Sequence, residues 1–587
     1  MTLYDKGEIM NKNIILCADG TGNRGGETPD TNVYRMYHAV DIHQPKRERQ
    51  QITFYDNGIG TSTNKYIRGL TGAVGLGFGR NIRDLYEYLA LNYDDKDIVY
   101  LFGFSRGTAT VRAFGGMLQE CGLVNRDHDK CKTNDKFDYD KLVDLINDAF
   151  EHYKDKKGNE FKSNEYVIKE VRIKFMGIWD TVSALGFSYY QRSDSLRIDD
   201  FLERPIAVWF LRFCDRVFDF RCFIPHNFYN YIPNKIVDHV YHAIAIDDER
   251  KSFLPRVWDE EGLDGKITQV WFAGMHSDVG GSYNQTGLAY ETMVWMMERA
   301  EHHGLDFVED ALKIAKDKAN VHGKLHNSRD GLAIYYRYAP RNIEELCTKN
   351  KANRSKLNGP IKIHQSVIDR MEQATSRYAP GLLPAEFEIV DTPIYIKNTD
   401  KLVNYGIVQN TFDPHVVDAT SPVKSKQGAN DWKEDRKKVE DIVKRRRLLY
   451  RVFADFSFMI VVAAIWLWWL NDSTIQNLSP PILNDTNFWS LGFESIPVTV
   501  PILEYSIFSG DILRDFTPKF FDNFIKVVCE TYPTILVLIV VFLYTLRKVR
   551  LKLLKTTMKK SVAIRDKIEK VRNSSTDFIN KEKKITS

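Results

Sequence analysis

An α/β fold built on a mostly parallel sheet is the class this sequence predicts, and three features predict it. Apolar runs of strand length recur at Asn13–Ala18, Gln51–Tyr55, Ile98–Phe102, Arg172–Trp179, Val237–Ile246 and Gln269–Gly274. Helical periodicity separates some of them, over Asn81–Tyr93 and Thr108–Gln119, and strands alternating with helices form βα units whose strands run parallel. Residues suited to chemistry stand just past three of the runs, the edge at which ligand and catalytic groups collect in open α/β sheets.

Length and charge bound the rest. At 587 residues the chain exceeds one ordinary core, and two to four domains are expected. A net charge of +4 from 82 basic and 78 acidic residues gives no global polyanion signal, so nucleic acid is not the expected partner. The cysteines at 17, 121, 131, 214, 222, 347 and 529 are odd in number and lack C-x-x-C spacing, which argues against a disulfide framework or a structural zinc site and fits a reducing compartment. The first twenty residues hold only the short apolar run Ile14–Ala18, so no secretory signal peptide is expected.

The first strand empties into Asp19-Gly-Thr-Gly-Asn23, a loop of small residues that reads either as a plain tight turn or as part of a site. After the second strand, Gly69, Gly72, Gly75, Gly77 and Gly79 do not make a phosphate loop: they do not directly follow a strand, no Gly-Lys-Ser/Thr closes them, and no acidic ribose partner sits at the right distance. The third strand leads into Gly103-Phe-Ser-Arg-Gly107 and then helix, the G-x-S-x-G spacing of a nucleophile elbow. A serine hydroxyl needs a base and oxyanion donors. The backbone N–H of Arg106 and that of Gly20 or Thr21 are the expected oxyanion pair.

Residues 124–170, charged and tyrosine-rich with no strand pattern, read as an insertion. Arg172–Trp179 ends at Asp180, placing that carboxylate at a strand end. Residues 186–236 are dense in Phe, Tyr, Trp and Arg. They read as a cap contacting an acyl chain or, equally well, as an aromatic satellite core. Val237–Ile246 carries His239 and His242 and is followed by Asp247-Asp-Glu-Arg-Lys251. Gln269–Gly274, the last clear strand, opens into Met275-His-Ser-Asp-Val-Gly-Gly281, so His276 is placed to reach across the sheet top as a base. The order Ser105, Asp180, His276 is the Ser, acid, His order of α/β-hydrolases. Asp278 is the rival for the acid.

Five motifs in order carry a family likeness: Asp19-Gly-Thr-Gly-Asn23, Gly-Phe-Ser-Arg-Gly107, Gly177-Ile-Trp-Asp-Thr-Val182, His242-Ala-Ile-Ala-Ile-Asp-Asp-Glu-Arg250 and Gly274-Met-His-Ser-Asp-Val-Gly-Gly281. Over roughly residues 11–300 the chain resembles the bacterial family with a Tle1-like phospholipase catalytic domain, also called the DUF2235 α/β-hydrolase family. The resemblance implies an α/β-hydrolase fold and esterase chemistry, some members being type VI secretion lipase effectors that attack membrane phospholipids. By position it implies Ser105 as nucleophile, Asp180 as acid and His276 as base.

The expected domain plan is a catalytic domain over 11–400 with cap insertions at 124–170 and 186–236, a linker over 401–432, a membrane region over 433–560 and a basic tail over 561–587. Phe453–Leu470 is an eighteen-residue run with Asp455 as its one ionisable group. A second run, 524–546, reaches span length only across Lys526 and Glu530. Basic clusters flank both runs, so the sequence predicts a two-span hairpin with the catalytic domain on the cytoplasmic side; burial of both runs in a soluble core is the rival reading. The whole reads as a membrane-anchored serine esterase that cleaves lipid carboxylic esters, foremost as a phospholipase, with phospholipid and membrane as partners, no nucleic acid, and neither metal nor cofactor needed; an exported effector acting on a target-cell membrane is the alternative placement. Two other classes remain open: a metal-dependent hydrolase using Asp19, His242, His276 and Asp278, and a non-enzymatic toxin or scaffold acting through the hairpin.

Overall fold

The computed structural model describes residues 11–20, 25–43, 49–58, 78–182, 235–260, 265–330, 338–348, 356–384, 387–390, 433–469 and 533–586, with positions 23, 263, 333 and 336 and the pairs 394–395 and 402–403. Its centre is an eight-stranded sheet. In chain order the strands are β1 Lys12–Ala18, β2 Gln50–Asp56, β3 Ile98–Phe104, β4 Ile173–Trp179, β5 Val237–Ala245, β6 Ile267–Phe272, β7 Lys362–His364 and β8 Glu388–Val390. They lie in the order β2-β1-β3-β4-β5-β6-β7-β8, and every pairing between neighbours is parallel.

Alternation along the strands sends side chains to two cores. Ile14, Leu16, Val99 and Leu101 face one, with α2 Phe78–Asn92, α3 Arg106–Cys121 and α4 Tyr139–Lys154; Ile15, Cys17, Tyr100, Phe102 and Phe104 face the other, with α1 Asn32–Ala39 and α6 Gly287–His302. Both faces being covered explains why these strands read as near-continuous apolar runs. The register aligns the strand ends: Ala18 pairs with Gly103, Phe104 with Trp179, Trp179 with Ala243 and Ala245 with Phe272. The strand order winds outward in opposite directions from β1, to β2 on one side and to β3 and its successors on the other, which makes the crevice above β1 and β3 the topological switch point.

Three expectations need correcting here. The sheet does not stop at β6, because β7 and β8 extend it; at three residues each they are too short to show a period of two. Residues 124–170 are not strand-free: Leu123–Val124 pairs with Val167–Ile168 and Lys132–Thr133 with Lys136–Phe137, two-residue ladders around α4. The aromatic stretch 186–236 lies outside the described residues but for its last two positions, as does most of 401–432.

The third correction concerns the membrane hairpin. No helix among the described residues is long and apolar enough to cross a membrane, so the spans at 453–470 and 524–546, and with them the multi-pass placement and cytoplasmic orientation, do not stand. The apolar residues sit on two long helices, α8 Lys433–Trp469 and α9 Pro533–Thr586, each continuous with a basic stretch. In α9 the apolar part runs from Pro533 only to Leu546 before Arg547. Fourteen residues rise about 21 Å, short of the roughly 30 Å of a hydrocarbon core. In α8 the run has Asp455 as its third residue, paired with Arg451 at 3.4 Å along the helix.

The chain divides into two compact units, one of residues 1–192, 221–443 and 557–587, the other of 193–220 and 444–556. In the first, the start of α8 is tied down by Arg436, which pairs with Glu344 and donates to Asn342 Oδ1 at 2.9 Å, and Val439, Val443 and Ile564 are buried. In the second, the Phe456 and Phe542 rings meet at 4.4 Å.

Candidate active site

The turn from β3 to α3 makes the elbow. Ser105 adopts φ 58°, ψ −119°, a region that L-residues occupy at a cost of about 1–3 kcal/mol and that clusters at functional sites. Its glycines are demanded by close approach: a Cβ at Gly107 would lie 2.1 Å from the Ala18 carbonyl oxygen, and one at Gly103 would lie 2.8 Å from Thr108 Cα. The Ser105 N–H donates to Trp179 O at 3.1 Å, which stitches the elbow to the end of β4.

Asp180 follows that strand end, also at positive φ, 40°. The short helix α5, His276–Gly280, begins at His276 itself, so the histidine is the first residue of a helical turn rather than part of an open loop. These elements bring three predicted residues together. Ser105 Oγ lies 2.8 Å from His276 Nε2, and His276 Nδ1 lies 2.6 Å from Asp180 Oδ2. All three are buried. With Nδ1 against a carboxylate, the imidazole carries its proton there and Nε2 accepts from the serine hydroxyl. Phe104 and the edge of Phe253 hold the ring from two sides, at centroid distances of 4.7 and 5.0 Å.

Electrostatics suit this arrangement. Burial alone would raise the Asp180 carboxyl; the Arg341 guanidinium beside it, then the His276 hydrogen bond, outweigh burial and hold it well below the usual carboxylate range. Burial lowers the His276 pKa below its ordinary value, with the Asp180 bond partly offsetting it, so the ring is neutral at neutral pH. A neutral imidazole bonded to a serine hydroxyl can take the proton of that hydroxyl.

The other candidate residues go elsewhere. Asp278, the rival acid, accepts from His326 Nδ1 at 2.5 Å and from the N–H groups of His326 and Met275, and His326 stacks on Tyr283 at 3.8 Å. His242 is buried between Thr181, whose N–H donates to Nε2 at 3.3 Å, and Gln269, 3.3 Å from Nδ1; burial and then Arg112 pull its pKa down to about 3. Asp19 accepts from Thr31 Oγ1 at 2.5 Å, Tyr55 OH at 2.6 Å and the Gly20 N–H at 2.5 Å. Asp19, His242, His276 and Asp278 therefore each have separate partners, and among the described residues no group of three or more His, Cys, Asp or Glu could hold a metal ion. Gly20 does stand beside the serine, where an added Cβ would lie 3.0 Å from Ser105 Cβ. Its N–H is turned onto Asp19 rather than into the site. Thr21 lies outside the described residues. Arg106 is the first residue of α3, directly after Ser105 at the head of the helix.

Sequence reasoning missed Arg341, whose Nη1 and Nη2 grip Asp180 Oδ1 and Oδ2 at 2.6 and 2.8 Å. It also missed the support beneath His276, whose N–H donates to Asp248 Oδ2 at 3.3 Å while Arg250 binds the same carboxylate at 2.6 Å. Asp248 and Arg250 lay within a quoted motif, two residues apart. Arg341 follows Ala339-Pro340 in a segment without periodicity, and nothing in the sequence marks a buried arginine there.

Comparison with known proteins bears on the first half of the chain. Residues 12–299 match the family described as the T6SS phospholipase effector Tle1-like catalytic domain. Uncharacterized protein YEL023C of Saccharomyces cerevisiae is 26% identical over 260 residues, 41% of this chain and 32% of that protein, so the chain spans about a third of the length of this curated relative. Two solved structures are similar at low scores: the Tle1 effector bound to the VgrG spike of the Type 6 secretion system, at 16% identity, 47% of this chain, 52% of that one and TM-score 0.25, and an uncharacterized protein from Pseudomonas aeruginosa, at 15%, 76%, 59% and 0.29. The resemblance carried by the five motifs is thereby shown for the segment that holds Ser105, Asp180 and His276: residues 12–299 match the Tle1-like catalytic domain.

Proposed function

We propose that this protein is a serine hydrolase of lipid carboxylic esters, with phospholipids as its substrate class. The observation that carries the reading is the continuous line from Ser105 Oγ through His276 to Asp180 at the aligned strand ends beside the switch point. The phospholipid class is supported by the description of the matching family, a phospholipase effector catalytic domain.

In this reading Ser105 Oγ attacks the ester carbonyl carbon while its proton passes to His276 Nε2. Asp180 keeps Nδ1 protonated and stabilises the imidazolium without itself taking the proton. The tetrahedral oxyanion is received by the Arg106 N–H at the head of α3 and by the Gly20–Thr21 loop, where the Gly20 N–H must leave Asp19 or Thr21 must supply the second donor. His276 then returns its proton to the departing alcohol oxygen, leaving an acyl-serine. Water, activated by the same imidazole, cleaves the acyl-serine to free acid and Ser105.

The test is to offer the purified full chain positionally labelled phospholipids, lysophospholipids and short-chain aryl esters. Acyl release from at least one lipid is expected, with Ser105→Ala reducing turnover on the order of 10⁴- to 10⁶-fold. Release from none of the lipids, or equal release by Ser105→Ala, would overturn the assignment.

A further inference from the structure

We propose that Arg341 is a positioning residue of this site: its guanidinium holds Asp180 as an ionised, charge-balanced carboxylate, so that His276 is oriented by the acid without being drawn into a standing ion pair with it. The proposal rests on the Ser105–His276–Asp180 reading above and concerns a residue outside the stretch 12–299 that matches the family.

The geometry is that of a two-pronged clamp. Arg341 Nη1 reaches Asp180 Oδ1 at 2.6 Å and Nη2 reaches Oδ2 at 2.8 Å, with both side chains wholly buried. The Ala245 N–H adds a bond to Oδ1 at 2.9 Å and His276 Nδ1 one to Oδ2 at 2.6 Å. Four donors thus converge on one carboxylate, and the paired bonds to a planar guanidinium fix its plane as well as its position. The arginine is itself held, through Nη1 to Ala245 O and Nη2 to Phe253 O, each at 2.5 Å. Phe253 also turns its ring edge to His276, so clamp and base share a wall.

The charge argument follows from burial. A lone carboxylate here would have two ways to relieve its desolvation: taking a proton, or drawing one onto His276 as an imidazolium. Either removes the base, the first by losing the acceptor for Nδ1–H and the second by occupying Nε2. A guanidinium that stays protonated at every working pH removes both incentives. The other charged and titratable groups facing the pair act on His276 rather than on the carboxylate. Asp248 accepts from the His276 backbone N–H and raises the ring's pKa, Arg250, bound to Asp248, lowers it, Ser105 meets Nε2, and His242 near Asp180 is uncharged; the guanidinium that grips Asp180 itself is that of Arg341. Asp247 and Asp248 act on Arg341 in the sense that keeps it charged.

The sign for activity is then determined. His276 must be neutral to act, so the acid limb of kcat/KM reports its ionisation in the free protein. Without the guanidinium, Asp180 favours the imidazolium more strongly, the His276 pKa rises, and the limb moves to higher pH. A lysine at 341 keeps the charge but not the two-pronged geometry.

The experiment compares full-length wild type, Arg341→Gln and Arg341→Lys by kcat/KM on a short aryl ester from pH 4 to 9, by rate of fluorophosphonate labelling at Ser105, and by thermal melting. Arg341→Gln is expected to lose about 10²- to 10⁴-fold at pH 7, the scale of losing an imidazole's orientation, with its acid limb raised by about one pH unit or more. Arg341→Lys should recover part of the rate with the limb at its wild-type position. A uniform loss across pH in Arg341→Gln, or wild-type kcat/KM, assigns Arg341 to fold stability alone and overturns the proposal. If Arg341→Gln gives no cooperative melt, Arg341→Lys decides: a limb displaced upward overturns the proposal and an unmoved limb with reduced rate supports it. A wild type neither labelled at Ser105 nor active on the ester removes the Ser105 reading and the proposal with it; a labelled wild type beside a pH-indifferent variant removes the proposal alone.

Discussion

Two carboxylates stand near His276 in sequence or space, and their partners separate their roles. Asp180 Oδ2 lies 2.6 Å from Nδ1, whereas both oxygens of Asp278 are engaged by His326 and the Met275 N–H. Asp180→Asn should therefore impair turnover severely, on the order of 10⁴-fold at neutral pH, because an amide can present its N–H₂ to Nδ1 and favour the wrong tautomer. Asp278→Asn should cost mainly stability, about 1–3 kcal/mol from a weakened buried bond to His326. Steady-state kinetics with matched melting curves check both. The reverse ranking, activity lost in Asp278→Asn and kept in Asp180→Asn, would move the acid.

At the scale of elements, the site depends on how closely β1 passes the head of α3. Gly107 has no room for a Cβ, and the obstacle is main chain, the Ala18 carbonyl, which cannot rotate aside as a side chain would. Gly107→Ala should thus destabilise by about 1–3 kcal/mol, the range of overpacking, and reduce esterase activity by shifting the elbow against the Gly20 loop. Gly359→Ala is the control, since nothing lies within 4 Å of its added Cβ; a surface change of this kind stays within about 0.5 kcal/mol. Equal melting temperatures for the two variants would show that the elbow yields and that its glycine spacing is incidental. The strained backbone at Ser105 and Asp180 fits the same picture, with two strand ends held by their neighbours in conformations they would not choose alone.

Taken as a whole molecule, the chain does not divide where the family match ends. Residues beyond 299 supply β7 and β8 to the sheet and Arg341 to Asp180, and α8 and α9 supply buried Val439, Val443 and Ile564 to the first unit. A protein ending at residue 299 would leave β6 as an unpaired apolar edge and Asp180 as an uncompensated buried charge, and it should fail to fold cooperatively and aggregate. One ending at residue 425 keeps both and should still be labelled at Ser105 by a fluorophosphonate. It should melt below the full chain, because each lost aliphatic contributes about 1.5–3 kcal/mol at most. Differential scanning calorimetry decides; a cooperative transition of 1–299 at the full-length midpoint would refute this account of the catalytic unit.

What the sequence by itself determined is local and periodic. Strand runs, helical spacing and the two glycines around Ser105 follow from steric demands carried by neighbouring residues, and six of the eight sheet strands, the elbow and the three strand-end residues were legible from them. The bidentate grip of Arg341 on Asp180, 161 positions apart, was not, because a buried arginine is marked only by the burial that the fold creates. Nor was the engagement of the Gly20 N–H by Asp19, a matter of one backbone rotation, nor the edge strands β7 and β8, which have too few residues for a period. The C-terminal apolar runs show the converse error. Hydropathy counts residues without knowing the helix they belong to, and the two runs lie on helices whose other parts are strongly basic. Tertiary structure decided these points because each depends on groups far apart in sequence, where distance, desolvation and charge balance are set by packing.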